Sequence, residues 1–301
     1  MTLQTNAPTW GKLLEPGLRK IFFENYPEKS EQFNKIFNVN SSKKAKEYDL
    51  LLGGFQPWAE RGNEISPVPY QDPSAGHEIV YDHKEFLSGF KVSRKMHDDE
   101  QYNVINKLPK ALAHSGRTKV DTDAATVLNA GFDGVNRPIY DGKALFASDH
   151  PLKGGGTASN IVTGGLTDSN LKIAIQAMHS APDETGNKIQ YQPKYLVVPR
   201  QLEFVAREIV GSEKKSGTDF NDMNTLKGSL EVVVYDYLTD DDAWFIMDPN
   251  IAQLNFFWRV KPEFKHEEDF DTLEAKYRGY MRYSYGVSDF RGIVGSAGAG
   301  A

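Results

Sequence analysis

Three short apolar runs, close together and each bounded by turn residues, limit the possible folds of this chain more than any other feature. Tyr195-Leu196-Val197-Val198 stops at Pro199, and an apolar run of that length ending in proline is the pattern of a buried strand. Leu230 to Tyr235 and Ala243 to Met247 repeat the pattern, separated by the acidic turn Thr239 to Asp242. Between the first two runs a helix is expected. Pro199 suits its first position, Leu202, Val205, Ala206 and Ile209 fall on one face, and Gly211 supplies a stop. Gln192 to Pro249 therefore reads as an α/β module, and it carries no recognisable chemistry.

Composition matters here for what it removes. The chain has no cysteine, which excludes disulfides, thiolate metal sites and cysteine nucleophiles. No apolar run approaches the roughly 20 residues of a membrane helix, and no signal-peptide core opens the sequence, so a cytoplasmic setting is expected. The net charge of −6 argues against nucleic-acid binding over the whole surface. Charge is unevenly spread: residues 1 to 46 hold eight Lys or Arg against four Glu, a local +4, leaving −10 for the remainder. Such a segment suits an arm on an acidic neighbour or DNA, or a solvated basic helix.

Along the chain, Leu14, Leu18, Ile21 and Phe22 mark a helix that Asn25-Tyr26-Pro27 interrupts, and Glu31 to Phe37 suggests another turn or two. From Lys43 to Val92 the period changes to two, with Tyr48, Leu50 and Leu52 before, and Ile79, Tyr81, Phe86, Ser88, Phe90 and Val92 after, a long tip rich in Gly and Pro. A hairpin of that length is marginal alone, so it is either an element that reaches a partner or one edge of a sheet in its own domain. Asp98 to Asn129 reads as a long helix, with Pro109 expected to kink or break it. Gly131 to Gly165 is loop-rich, and a further helix starts near Thr167-Asp168 with Leu171, Ile175 and Met178 on one face. Ala252 to Val260 is apolar and aromatic, and Pro262 to Asp271 is charged. Leu273 to Tyr285 alternates as a long half-buried strand, followed by a Gly-Ala tail expected to fray.

The candidates for chemistry are few. Ser148-Asp149-His150 contains the residue types of a hydrolase triad, but adjacent residues cannot fold a base onto a nucleophile, and His150 reads as a loop histidine with a structural hydrogen bond. Gly154 to Gly156 lacks the spacing of a phosphate loop, and the seven histidines lack metal-ligand spacing. Asp240 to Asp242 and Glu267 to Asp269 lack the pattern of a calcium loop. No catalytic residue, metal or cofactor is assigned.

The order of parts is a basic arm, a long hairpin, a long helix, an α/β module and a long return strand. With it come the phrases Gly142-Lys143-Ala144-Leu145-Phe146, Asp149-His150-Pro151, Tyr195 to Pro199, Leu226-Lys227-Gly228, Leu238 to Asp248 with Trp244, and Tyr285 to Gly292. In these the chain resembles the tailed-phage major capsid proteins of the Hong Kong 97-type fold, and within them the Mu-like major head subunits. Each phrase is weak alone; their order and spacing carry the likeness.

The resemblance implies an α+β subunit with an N-terminal arm (1–42), an extended loop (43–92), a peripheral domain (93–165 and 252–284) with a spine helix over about 98–129, and an axial domain (166–251 and 285–301) whose loop Gly211 to Thr225 faces the capsomer centre. It implies pentamers and hexamers closing into an icosahedral shell around double-stranded DNA, in a virion assembled in the bacterial cytoplasm. A separate scaffolding protein, a portal and a decoration protein are its expected partners. Contacts between copies are expected at Lys43, Lys44, Lys46, Phe55, Pro57, Trp58, Arg61, Pro67, Tyr70, Lys214, Lys215 and Asp219. An encapsulin-like compartment is the alternative within the fold, and a soluble hydrolase using Ser148 and His150 the alternative outside it.

Overall fold

The computed structural model describes residues 10–27, 32–52, 54–55, 58, 60, 68, 70, 75–99, 102–214, 223–269 and 272–298. Its elements, in order, are α1 (Trp10–Asn25), β1 (Asn38–Ser41), β2 (Lys46–Leu52), β3 (Ala75–Asp82), β4 (Lys84–Ser93), α2 (Arg94–Asp98), α3 (Tyr102–Ile105) and α4 (Lys107–Asn129). They continue with β5 (His150–Pro151), β6 (Thr157–Ala158), α5 (Asp168–Ser180), β7 (Tyr195–Val198), α6 (Glu203–Gly211), β8 (Glu231–Val234), β9 (Trp244–Met247), β10 (Leu254–Asp269), β11 (Glu274–Val287) and β12 (Ile293–Ser296).

The three apolar runs become three of the four strands of one sheet, ordered β12-β9-β7-β8. β7 pairs parallel with β8, its partner across α6, and antiparallel with β9. Both faces are covered, which is why all four residues of β9 are buried and its sequence does not alternate. One face carries Leu196, Val198, Trp244 and Ile246 and packs on Leu171, Ala174 and Met178 of α5 and on Ala206 and Val210 of α6. The α6 face differs from the expected one: Val205 points outward, because the helix meets the sheet along Ala206 and Val210, flanked by Leu202 and Ile209. Thr167 caps α5 by accepting a hydrogen bond from the Asn170 amide.

The second sheet is ordered β1-β10-β11-β4. Its long strands bring an aromatic row to the main core, where Tyr283 lies between Phe86, Phe256 and Trp258 with ring centroids 4.6 to 5.4 Å apart. The charged stretch from Pro262 is the outer half of β10. β1 pairs only with Asn255 to Trp258, so beyond that point β10 is an edge strand, and Pro262 sits in the register shift between Val260 and Glu263. Just before the Gly-Ala tail lies β12, an element without a sequence signal, whose four residues are buried against β9.

α4 joins the two sheets. Val120, Ala124, Val127 and Leu128 form its buried stripe, as their spacing predicts. Pro109 does not kink it, because α4 begins at Lys107 and the proline occupies the first turn, where no intrahelical N–H partner is lost. Of the predicted continuation back to Asp98, the short helix α3 is separate from α4, and Asp98 itself ends α2. A third cluster builds the far end: Leu18 and Phe22 of α1 pack on Val92, Ile105, Ala113, Phe264, Ala275 and Tyr277. Among the described residues, no helix is long and apolar enough to cross a membrane.

Candidate assembly surfaces

β2 and β3 form a two-stranded ribbon whose own chain covers it on one side only. Leu51 and Tyr81 turn inward, and the Tyr81 hydroxyl meets Ser288 beyond β11. Tyr48, Leu50 and Val80 turn outward, with Tyr48 57% and Leu50 51% exposed. An apolar strip on a solvent-facing ribbon is what a partner surface looks like in an isolated subunit. Near the ribbon's end Phe55, Trp58 and Tyr70 are exposed as well, Trp58 at 97%.

The basic residues at the ribbon's root have partners in their own chain. Lys46 Nζ lies 2.7 Å from Asp82 Oδ1 across the ribbon, and Lys44 Nζ lies 3.1 Å from Glu47 Oε2. The hydrogen bond to Asp82 holds the Lys46 pKa above its ordinary value. Lys43 is exposed. Lys214 is far from this surface, beside Glu208 and Asn224 at the mouth of a groove between α5 and α6. Pro57, Arg61, Pro67, Lys215 and Asp219 lie outside the described residues.

Ser148, Asp149 and His150 do not converge. Ser148 and Asp149 face solvent, Asp149 bonded to Lys143, whereas the His150 ring is fully buried. His150 Nδ1 lies 2.6 Å from Asp141 Oδ2 and Nε2 lies 3.1 Å from Asn160 Oδ1, so both nitrogens are already engaged. Burial opposes the Asp141 charge, but the hydrogen bonds from His150 and the Lys143 amide outweigh it and hold its pKa below the usual carboxylate value.

Asn160 escapes sequence reasoning entirely. Its Nδ2 donates to the carbonyls of Leu145 and Phe290, and its Oδ1 accepts from the Ala147 amide, so one side chain ties three segments together. Beside it Arg291 is buried between Asp289 and Glu184, at 2.8 Å from each. Burial works against the Arg291 charge, but the two carboxylates more than offset it and raise its pKa. Gly292 completes the junction with φ +78°, and a Cβ there would lie 2.5 Å from the Ala252 amide nitrogen. The phrases around 142–151 and 285–292, far apart in sequence, thus meet at one buried junction.

That convergence bears on ancestry, and comparison with known proteins decides it. The family described as phage capsid protein matches residues 80–296. The chain belongs to the phage capsid protein family. It is similar to the major capsid protein of Escherichia phage Mu, 24% identical over 77% of this chain and 99% of that one. It is also similar to the Mu-like prophage FluMu major head subunit of Haemophilus influenzae, 26% identical over 65% of this chain and 62% of that one. Among solved structures, the capsid of the empty GTA particle superimposes with a TM-score of 0.57 at 14% identity, covering 89% of each chain. The procapsid of bacteriophage JBD30 gives 0.54 at 16% identity, covering 96% of this chain and 75% of that one.

The fold of this capsid protein is accordingly the Hong Kong 97-type, and its role is structural: it is a phage major capsid protein, a subunit of the capsid shell and a component of the virion.

Proposed function

We propose that this capsid protein is the major head subunit of a Mu-like phage or prophage, forming pentamers and hexamers that close into an icosahedral shell around double-stranded DNA. The observation that carries the reading is the outward strip of Tyr48, Leu50 and Val80, continued by Phe55, Trp58 and Tyr70, which the described chain leaves about half exposed or more. Permanent assemblies bury roughly 2,000 Å² or more per interface, and heterologous contacts close into rings when the rotation permits. Residues 43–92 would be the extended loop reaching over a neighbour, 1–42 the arm, 93–165 with 252–284 the peripheral domain, and 166–251 with 285–301 the axial domain.

In this reading Lys43, Lys44, Lys46, Phe55, Pro57, Trp58, Arg61, Pro67 and Tyr70 meet the neighbouring copy, and Lys214, Lys215 and Asp219 the capsomer centre. The partners are a scaffolding protein and a portal, with a decoration protein on the outer surface. DNA is held without sequence preference, and assembly takes place in the host cytoplasm. Deleting Gly53 to Gly76 tests it: the subunit should stay folded and fail to assemble. Particles of normal size and yield in electron micrographs would overturn the reading, and intact particles loaded with protein in place of DNA would reassign the shell to an encapsulin-like compartment.

A further inference from the structure

The chain enters the ribbon through Ser42, between β1 and β2, and leaves it through His83, the single residue between β3 and β4. Both are buried, and both are tied to the same place. His83 Nε2 lies 3.1 Å from Ser42 Oγ, and His83 Nδ1 lies 3.0 Å from Ser284 Oγ on β11. Ser284 is itself buried. Ser42 is further fixed by its amide, which donates to the Trp258 carbonyl of β10 at 2.8 Å.

The direction of every hydrogen bond in this chain follows from counting protons. Ser42 Oγ donates to Glu47 Oε1 at 2.6 Å, which uses its only hydrogen, so toward His83 and toward the Lys44 amide it can only accept. Nε2 of His83 therefore carries a proton. In the neutral ring Nδ1 is then an acceptor, and the Ser284 hydroxyl supplies the proton it needs. The chain runs one way: Ser284 to His83 to Ser42 to Glu47, from the sheet into the ribbon.

We propose that this chain is an acid-sensitive latch, in which neutral His83 fixes the angle of the β2–β3 ribbon against the second sheet and protonated His83 releases it. A proton added at Nδ1 meets the Ser284 hydrogen head on. That hydroxyl must turn away, and its buried hydrogen loses its acceptor. The charge also arrives between Arg282 of β11 and Arg259 of β10, against which Glu47 of β2 and Asp82 of β3 pull the other way; the cation Lys44 is already engaged by Glu47. Burial first, and Arg282 next, put the His83 pKa below its ordinary value of about 6.5. The latch is thus closed above that value and opens as pH falls through the lowered one. The inference concerns the ribbon's root and does not depend on what the ribbon's outward strip meets.

The test is hydrogen exchange of the full chain, in whatever assembly it forms, followed by mass spectrometry from about pH 8 to about pH 5. After correction for the intrinsic pH dependence, amides of residues 46–52 and 75–82 should exchange about tenfold faster at the acid end, while those of β9 do not change. His83→Gln, which cannot take the charge, should remove that response. A response equal to that of the wild type in the variant would overturn the latch. Should the variant fail to fold, the ¹⁵N spectrum of the histidine-labelled wild type decides: Nε2–H with bare Nδ1 at neutral pH is the expected form, and the opposite tautomer or a doubly protonated ring refutes it.

Discussion

The imidazole of His150 lies flat on the ring of Phe290, with centroids 3.8 Å apart and planes within 5°. The stack joins the loop that follows α4 to the segment between β11 and β12, and it places the histidine's edge between Asp141 and Asn160. Its position inside the chain, with both nitrogens engaged, is that of a structural clamp.

Replacing His150 by alanine should therefore cost stability. The change leaves the Asp141 carboxylate buried without its strongest partner and opens a void against Phe290, together roughly 3 kcal/mol. Urea denaturation should show the fall in midpoint. Asp141 adds a pH signature. Its folded pKa is depressed, so its contribution is complete above about pH 4 and is lost as pH falls through the folded value. Asp141→Asn should flatten the acid limb of the stability curve, and an unchanged limb would mean that other carboxylates dominate it.

Two glycines with similar backbones should respond differently to alanine. Gly155 has φ +92° and open space around its missing Cβ, so Gly155→Ala carries only the left-handed penalty of about 1 kcal/mol. Gly292 has φ +78° and the Ala252 backbone in the way, and backbone cannot rotate aside. Gly292→Ala should cost at least about 3 kcal/mol by adding displacement of the Ala252 backbone to that penalty. Thermal melts of the two variants side by side give the comparison, and equal losses would refute it.

The N-terminal helix is held at both its apolar face and its first turn. Phe22 and Leu18 fill its buried face, the Gly11 amide donates to Glu268, and the Tyr277 hydroxyl donates to the Gly11 carbonyl, its pKa pushed up to about 12 by burial and by Glu268. Phe22→Ala should cost about 3–5 kcal/mol locally, enough to detach α1 while the two sheets persist. Hydrogen exchange would rise across residues 14–25 and stay level in β7 and β9 if this is right, and a uniform rise would show that the helix unfolds only with the whole.

How much of this was readable in the sequence depended on burial. β7, β8 and β9 were legible because strands covered on both faces leave unbroken apolar runs, and the α4 stripe was legible because one helix face is buried. The outer half of β10 was not, since an edge stretch tolerates charge and proline. β12 was missed because four residues beside a Gly-Ala tail make too short a pattern, and exposed β1 has no apolar signature at all. The clamp was half legible: His150 was read as structural, but Asn160 and the pairing of Arg291 with Glu184 join residues too distant in sequence for any spacing rule. The latch is hidden for the same reason, since His83 finds Ser42 and Ser284 at separations of 41 and 201 residues.

β12 has a further consequence, which concerns synthesis. The strand closes a sheet whose other members precede it in the chain by between about 50 and 100 residues, and it leaves the ribosome after all of them. Until it docks, β9 presents an open edge of tryptophan, phenylalanine, isoleucine and methionine. A nascent subunit therefore keeps one sheet unfinished until β12 has been made. The order of synthesis thus makes docking of β12 the step that completes this sheet.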